Sequence, residues 1–260
     1  MGKVWMIASG KGGVGKSTVS AALAVALARH HRRVCVIDAD VGLRGIDLML
    51  GMENRAVFDL FDVTKGESAM KDALVCHADY SQLFLLSTSQ VEKPDAMTQE
   101  QLSQALKVLK RQFDVVLIDC PAGIGSVVTD AGALADHCLI VVTPDDMAMR
   151  DAERAASVLF ENTQLSMHTV VNRVDKKLIA DGLTMQPRQI ADAIGVPLIG
   201  EIPKSDYVYR ALLSHKSASE TPDKHLTQTI ERLALRIEGG DAPFETYRLR
   251  RKSWFHRAKG

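Results

Sequence analysis

The sequence predicts an α/β protein of a single domain, built on a mostly parallel twisted sheet with helices on both faces. Three features lead there. Several runs are apolar throughout rather than alternating, notably residues 4–8, 115–118 and 138–143, as strands covered on both faces are. Between these runs lie segments with apolar residues three and four apart, the mark of helices packed on a sheet. Residues 10–18 read GKGGVGKST, which matches G-x-x-x-x-G-K-[ST] between an apolar run and a helical one. That strand–loop–helix setting is what a phosphate-binding loop requires.

Taken in order, residues 4–8 predict a first strand and the Ala- and Leu-rich residues 19–27 a helix. Strands follow at 33–38 and 83–87. Leu102, Leu106 and Leu109 set the apolar stripe of a helix over 101–112. Residues 114–119 (DVVLID) form a strand that ends in an acid, and 138–143 another, with a helix expected over 151–160. Residues 168–172 and 197–202 complete the strands, with a helix at 187–194 between them and a late amphipathic helix at 225–237. The domain is assigned to residues 1–240 and a basic tail to 241–260.

At 260 residues and 46% apolar, the chain can bury a large core. Lys plus Arg equals Asp plus Glu at 32 each, which argues against a bulk polyanion binder. Cys35, Cys76, Cys120 and Cys138 are scattered without a C-x-x-C pair, so neither a disulfide framework nor a cluster site is expected. The chain begins as a strand and no apolar run approaches the roughly 20 residues of a spanning helix, so the expected location is the cytosol.

In the glycine-rich loop, the backbone from Gly10 through Gly12, Gly13, Val14 and Gly15 closes N–H groups around phosphate oxygens, and the helix start adds partial positive charge. Lys16 reaches the outer phosphates and the Ser17 hydroxyl ligates Mg²⁺. The bland alternative is a glycine-rich turn that binds nothing. Asp119, at the end of its strand, is placed to hold Mg²⁺ or its water shell. Gly123 follows as a candidate γ-phosphate switch. Asp38 and Asp40 end the second strand at i and i+2, so one carboxylate orients an attacking water while the other supports the metal. Any one of these acids alone reads equally as a turn or helix cap. Together, at strand carboxyl ends beside the loop, they are site candidates.

A second lysine, Lys11, stands directly after Gly10. KGGVGKST with two lysines resembles the deviant Walker A P-loop of the ParA/MinD superfamily. The segments GLRGIDLMLG, VVLIDCPAGI, VTPDDMAMRDAER, VVNRV and IPKSDYVYRA follow in the order seen in the MinD family of division-site ATPases, to about residue 220. GLRGIDLMLG is closer to that family than to plasmid-partition ParA proteins, which typically carry Pro-Gln-Gly after the acids. The nitrogenase iron-protein branch needs a cysteine pair that is absent from this sequence. One departure is Gly125, where the family commonly has an acid. The resemblance implies Mg²⁺-dependent ATP hydrolysis, slow and partner-stimulated, and an ATP-dependent homodimer in which Lys11 contacts phosphate across the interface. It further implies that Lys16 binds phosphate, Thr18 the α-phosphate, and Asn172, Arg173 and Pro203 the adenine, while Asp40 places the hydrolytic water with Asp38 nearby. A division inhibitor and a topological factor are the implied partners, meeting a surface around Arg150 and Asp151 near a helix start.

From Phe244 onward the tail holds six Lys/Arg and one Glu. At 100° per residue, Phe244, Tyr247, Trp254, Phe255 and Ala258 fall in an arc of about 100°, with Arg251 inside it. This is the pattern of an interfacial helix, and Tyr247, Trp254 and Phe255 are its expected contacts with an anionic membrane. MinD-family proteins end in such a helix, so the expected site of action is the cytoplasmic face of the cell membrane. The alternative is a solvated tail, or one packed on its own domain. Two other functions share the P-loop: a ParA-like segregation ATPase that binds DNA, and a flagellar-number regulator. The aromatic arc favours lipid over nucleic acid.

Overall fold

The computed structural model describes residues 1–41, 45–88 and 98–249. Its strands are β1 (Lys3–Ala8), β2 (Val34–Asp38), β3 (Val75–Cys76), β4 (Leu83–Leu86), β5 (Val115–Asp119), β6 (His137–Val142), β7 (Ser166–Val174) and β8 (Leu198–Pro203). The helices are α1 (Lys16–Arg29), α2 (Gly45–Met49), α3 (Leu60–Lys65), α4 (Met70–Ala73), α5 (Gln99–Gln112), α6 (Ser126–Leu134), α7 (Asp146–Asn162), α8 (Lys176–Ala180), α9 (Pro187–Ile194), α10 (Asp206–Leu213) and α11 (Lys224–Ile237).

The strands form one sheet in the order β3-β4-β2-β5-β1-β6-β7-β8. Every pairing is parallel except β3 with β4, so the expected mostly parallel sheet is present. Strands β2, β5 and β1 lie side by side, with Asp38 opposite Asp119 and Asp119 opposite Ile7. The acids that end β2 and β5 therefore stand beside the loop leaving β1, at the carboxyl edge where such sheets hold ligands. Helix α1 is buried along almost its whole length, between the sheet and α2 and α11. Its run of Ala, Val and Leu without a polar face has that cause, since a helix covered all round needs no solvent face.

The helices that sequence periodicity missed are α2, α3, α4, α6, α8 and α10. All are short, none longer than nine residues, and three of them are started by side chains. Asp59 caps α3 in a reciprocal box with Asp62, Asp175 caps α8 and Ser205 caps α10. Helix α7 begins five residues earlier than expected because the Asp145 carboxylate accepts from the Ala148 amide at 2.9 Å. Arg150 and Asp151 thus lie in its second turn, not at its start, and the acid of the first turn is Asp146. No helix among the described residues is long and apolar enough to cross a membrane.

In its described part the tail takes the alternative of packing on its own domain. Residues 241–249 carry no helix and run as an irregular strap against the domain. The Tyr247 hydroxyl donates to Glu201 of β8 at 2.9 Å, and Phe244 lies 3.7 Å from the Arg236 guanidinium of α11. Both aromatic rings are occupied by the domain, which a free amphipathic helix would not allow. Trp254 and Phe255 lie outside the described residues, as do residues 42–44 of the GLRGIDLMLG segment.

Candidate active site

The loop after β1 turns through Gly13 and Gly15 in left-handed conformations (φ 78° and 92°), which side chains disfavour. A Cβ on Gly15 would also overlap the Asn172 amide nitrogen. A Cβ on Gly10 would overlap the backbone carbonyl of Asp151, so the loop begins in direct contact with α7. Helix α1 starts at Lys16 without a side-chain cap, which leaves its first amides pointing into the loop's cradle.

Asp119 is the centre of the site. Its carboxylate accepts from Ser17 Oγ at 2.6 Å and Ser20 Oγ at 2.7 Å, and it lies 3.0 Å from Lys16 Nζ. Lys16 and Asp119 are both buried, at 7% and 1% exposure, so this ion pair forms out of water's reach. Asp38 is buried beside it and accepts from the amides of Asp40 (3.2 Å) and Ile46 (3.3 Å). Burial, and next the charge of Asp119, push the Asp38 carboxyl up to about 7, against those two hydrogen bonds and the pull of Lys16. Burial also raises Asp40, which Lys16 partly offsets. A hydroxyl and carboxylates gathered at one point form a hard-oxygen donor set of the kind Mg²⁺ takes.

Lys11 stands apart from that cluster. It is exposed at the rim and pairs at 3.8 Å with Asp145, the residue that caps α7. Although burial opposes it, the Thr143 hydroxyl, the Ala148 amide and the Lys11 charge together hold the Asp145 carboxyl below its usual range. Gly123, at φ 92°, donates its amide to the Ser9 carbonyl at 2.9 Å and is thereby tied to the strand that leads into the loop.

Asn172 does not stand free in a base pocket. Its amide donates to the Val14 carbonyl at 2.8 Å and its carbonyl accepts from Arg173, itself at φ 58°. Asn172 therefore fastens the loop to β7. A cleft of about 350 Å³ opens beside it, lined among others by Gly15, Thr18, Arg173, Pro203, Tyr209 and Leu226. The three residues expected at the adenine are thus together at one cleft that begins at the phosphate loop. Arg150 lines a separate cleft of about 280 Å³ between α7 and α9.

Sequence reasoning missed Ser20 and Asp145. Ser20 is the last hydroxyl of an otherwise apolar helix, one turn after Lys16 and Ser17, and that spacing was its signal. Asp145 was visible as an acid before a helix, but its pairing with Lys11 was not. The match to known proteins agrees with this geometry. A family model described as ParA: NUBPL iron-transfer P-loop NTPase matches residues 1–238. The septum site-determining protein MinD of Bacillus subtilis is 35% identical over 261 aligned positions, covering 100% of this chain and 97% of that one. The chain belongs to the MinD family of ParA/MinD P-loop ATPases. Among solved structures, the MinC:MinD cell division protein complex of Aquifex aeolicus superposes with a TM-score of 0.86 at 32% identity, covering 94% of this chain and 99% of that chain. The septum site-determining protein MinD of Pyrococcus horikoshii, complexed with Mg-ADP, gives 0.80 at 26% identity over 92% and 96%. As a MinD-family member the chain is an ATPase that uses ATP and Mg²⁺.

Proposed function

We propose that this ATPase positions the division septum as a nucleotide-gated switch. ATP joins two copies across their P-loops, and Lys11 of each reaches the nucleotide of the other. The backbone from Gly10 to Gly15, with Lys16, binds the outer phosphates, and Thr18 the α-phosphate. Ser17 and Asp119 hold Mg²⁺ with Asp38 behind them, and Asp40 orients the attacking water. Bound Mg²⁺ supplies charge neutralisation on the phosphates. The base lies in the cleft against Asn172, Arg173 and Pro203.

The observation that carries this reading is the division between two lysines on one loop. Lys16 is buried on Asp119, whereas Lys11 is exposed and held by a surface pair. An exposed pair of that kind is worth about 0–1 kcal/mol, so Lys11 is cheaply released to a second subunit.

The ATP dimer attaches to the cytoplasmic face of the membrane through two basic tails carrying Trp254 and Phe255, and it recruits a division inhibitor. One tail is marginal: inserting each aromatic yields about 1.5–3 kcal/mol and each nearby Lys or Arg about 1 kcal/mol, against the cost of ordering the segment. Two tails on one dimer gain avidity of about 10²-fold or more. A stimulating factor meets α7 around Arg150 and Asp151, whose backbone touches Gly10. Asp151→Ala is expected to keep basal hydrolysis and lose the partner's stimulation; loss of basal hydrolysis would place Asp151 in the site instead.

Sedimentation with anionic liposomes, and separately with duplex DNA, in ATP and in ADP tests the whole reading. Lipid recruitment in ATP alone is expected. ATP-dependent DNA binding without lipid binding would move the chain to the segregation class.

A further inference from the structure

Helix α11 starts at the nucleotide end, where Leu226 and Ile230 line the cleft with Gly15 and Pro203. It ends at the opposite pole, where Glu238 pairs with His30 just beyond the end of α1. Fourteen residues at 1.5 Å each make that descent about 21 Å. The strap then climbs back. Arg236 donates to the carbonyls of Ala242 (3.1 Å) and Pro243 (2.9 Å) and to Ile199 of β8 (2.8 Å). Further on, Glu245 meets Lys176 of α8 and the His225 (3.4 Å) and Arg232 (3.6 Å) side chains of α11. Its amide and the Tyr247 hydroxyl both bond to Glu201. The strap thus runs from the end of α11 back to contacts with His225 at its start and with Glu201 of β8.

The strap grips the elements that wall the cleft. Along β8, Glu201 holds the strap while its neighbours Ile202 and Pro203 line the cleft. Along α11, Leu226 and Ile230 face the cleft while His225, Arg232 and Arg236 face the strap. Arg173 lines the cleft from the end of β7, and Lys176, three residues on, holds Glu245. Glu245 thus ties α11, which lines the cleft at Leu226 and Ile230, to Lys176, three residues beyond the cleft-lining Arg173.

We propose that the strap 241–249 is a clasp whose docking is linked to nucleotide binding. Docked, it holds the walls at the spacing the base fits. Nucleotide in turn holds the strap docked, because a linkage between two sites is reciprocal. This rests on the reading that the base occupies the Pro203 cleft.

Hydrogen exchange on the full chain, with and without saturating Mg-ADP, tests it. Amides in 10–18, in 202–204 and in 241–249 are all expected to slow. If the loop slows but 202–204 does not, the base lies elsewhere and the placement itself fails. If the loop and 202–204 slow while 241–249 is unchanged, the clasp is overturned. The full-length double variant Glu245→Gln, Tyr247→Phe is expected to speed exchange in 241–249 and to weaken Mg-ADP about fivefold or more by calorimetry. A loosened strap with affinity within twofold of the parent overturns the linkage, and an unloosened strap overturns the assignment of these contacts as the clasp.

Discussion

Lys16 Nζ lies 3.0 Å from the Asp119 carboxylate, with both side chains buried. The P-loop lysine and the strand-end acid close on each other, and Ser17 and Ser20 complete the carboxylate's hydrogen bonds. Breaking such a pair from one side leaves a buried charge without its partner, at a cost of about 3–5 kcal/mol. Asp119→Ala is therefore expected to lower the urea midpoint sharply and to abolish Mg²⁺-dependent hydrolysis. Lys16→Ala is expected to abolish ATP binding by calorimetry. An Asp119→Ala protein as stable as the parent would show that the pair contributes nothing to the fold.

Asp40 is half-buried near Lys16 and Asp119 but holds neither through a hydrogen bond among the described residues. Asp40→Ala is expected to fold and bind ATP normally, to lose hydrolysis by about 10²-fold or more if it orients the water, and to accumulate as dimer. Light scattering in excess ATP is the measurement. A monomer under those conditions would count against the ATP dimer.

Asp145 both caps α7 and pairs with Lys11, and two substitutions separate the roles. Asp145→Ala loses both, at a cost of about 1 kcal/mol for the cap. Asp145→Ser keeps the cap and drops the charge, so it is expected to unfold within about 0.5 kcal/mol of the parent. Freed from Asp145, Lys11 is expected to dimerise the protein at lower ATP concentration. An unchanged ATP dependence would show that the resting pair does not restrain Lys11.

His137 stacks on Trp5 with ring centroids 4.2 Å apart and lies 6.1 Å from His168, at the sheet end away from the loop. Burial, and then the charge of Lys3, lower His137 despite Asp136; burial, and then His137, lower His168. Unfolded histidines titrate near 6.5, so as pH falls through that value the unfolded chain takes up protons the folded chain resists. Stability from this pair is full above about 6.5 and is lost as pH falls through the depressed folded values. His30 has the opposite sign: burial lowers it, but the Glu238 and Glu231 carboxylates overcome this and raise it, so its contribution is lost as pH rises. His137→Phe keeps the stacking and removes the proton. Its melting temperature relative to the parent is expected to rise between pH 7.5 and 5, and a constant difference would refute the assignment.

Trp254 and Phe255 can be changed without altering any charge. The double change to Ser is expected to abolish sedimentation with anionic liposomes while ATP binding and dimerisation persist. Raised salt should weaken the parent's binding without erasing it. If the double variant pellets like the parent, the tail binds by charge alone and does not insert.

The phosphate loop and the acids ending β2 and β5 were legible in the sequence because each depends on a short stretch: a glycine pattern between strand and helix, or an apolar run closed by Asp. The parallel sheet was legible for the same reason, since strands buried on both faces carry no alternation. The short capped helices escaped because a single Asp or Ser sets each of them, and those residues also make turns. The start of α7 was misplaced for that reason, since Asp145 decides it. Other features belong to tertiary structure alone. Asn172 reaches Val14 across 158 residues, Ser20 reaches Asp119 across 99, and Tyr247 reaches Glu201 across 46. Periodicity says which face of an element is buried, but not which distant donor will meet which acceptor. The order of strands in the sheet decides that, and it turned Asn172 into a fastening of the loop and Tyr247 into an anchor of the strap.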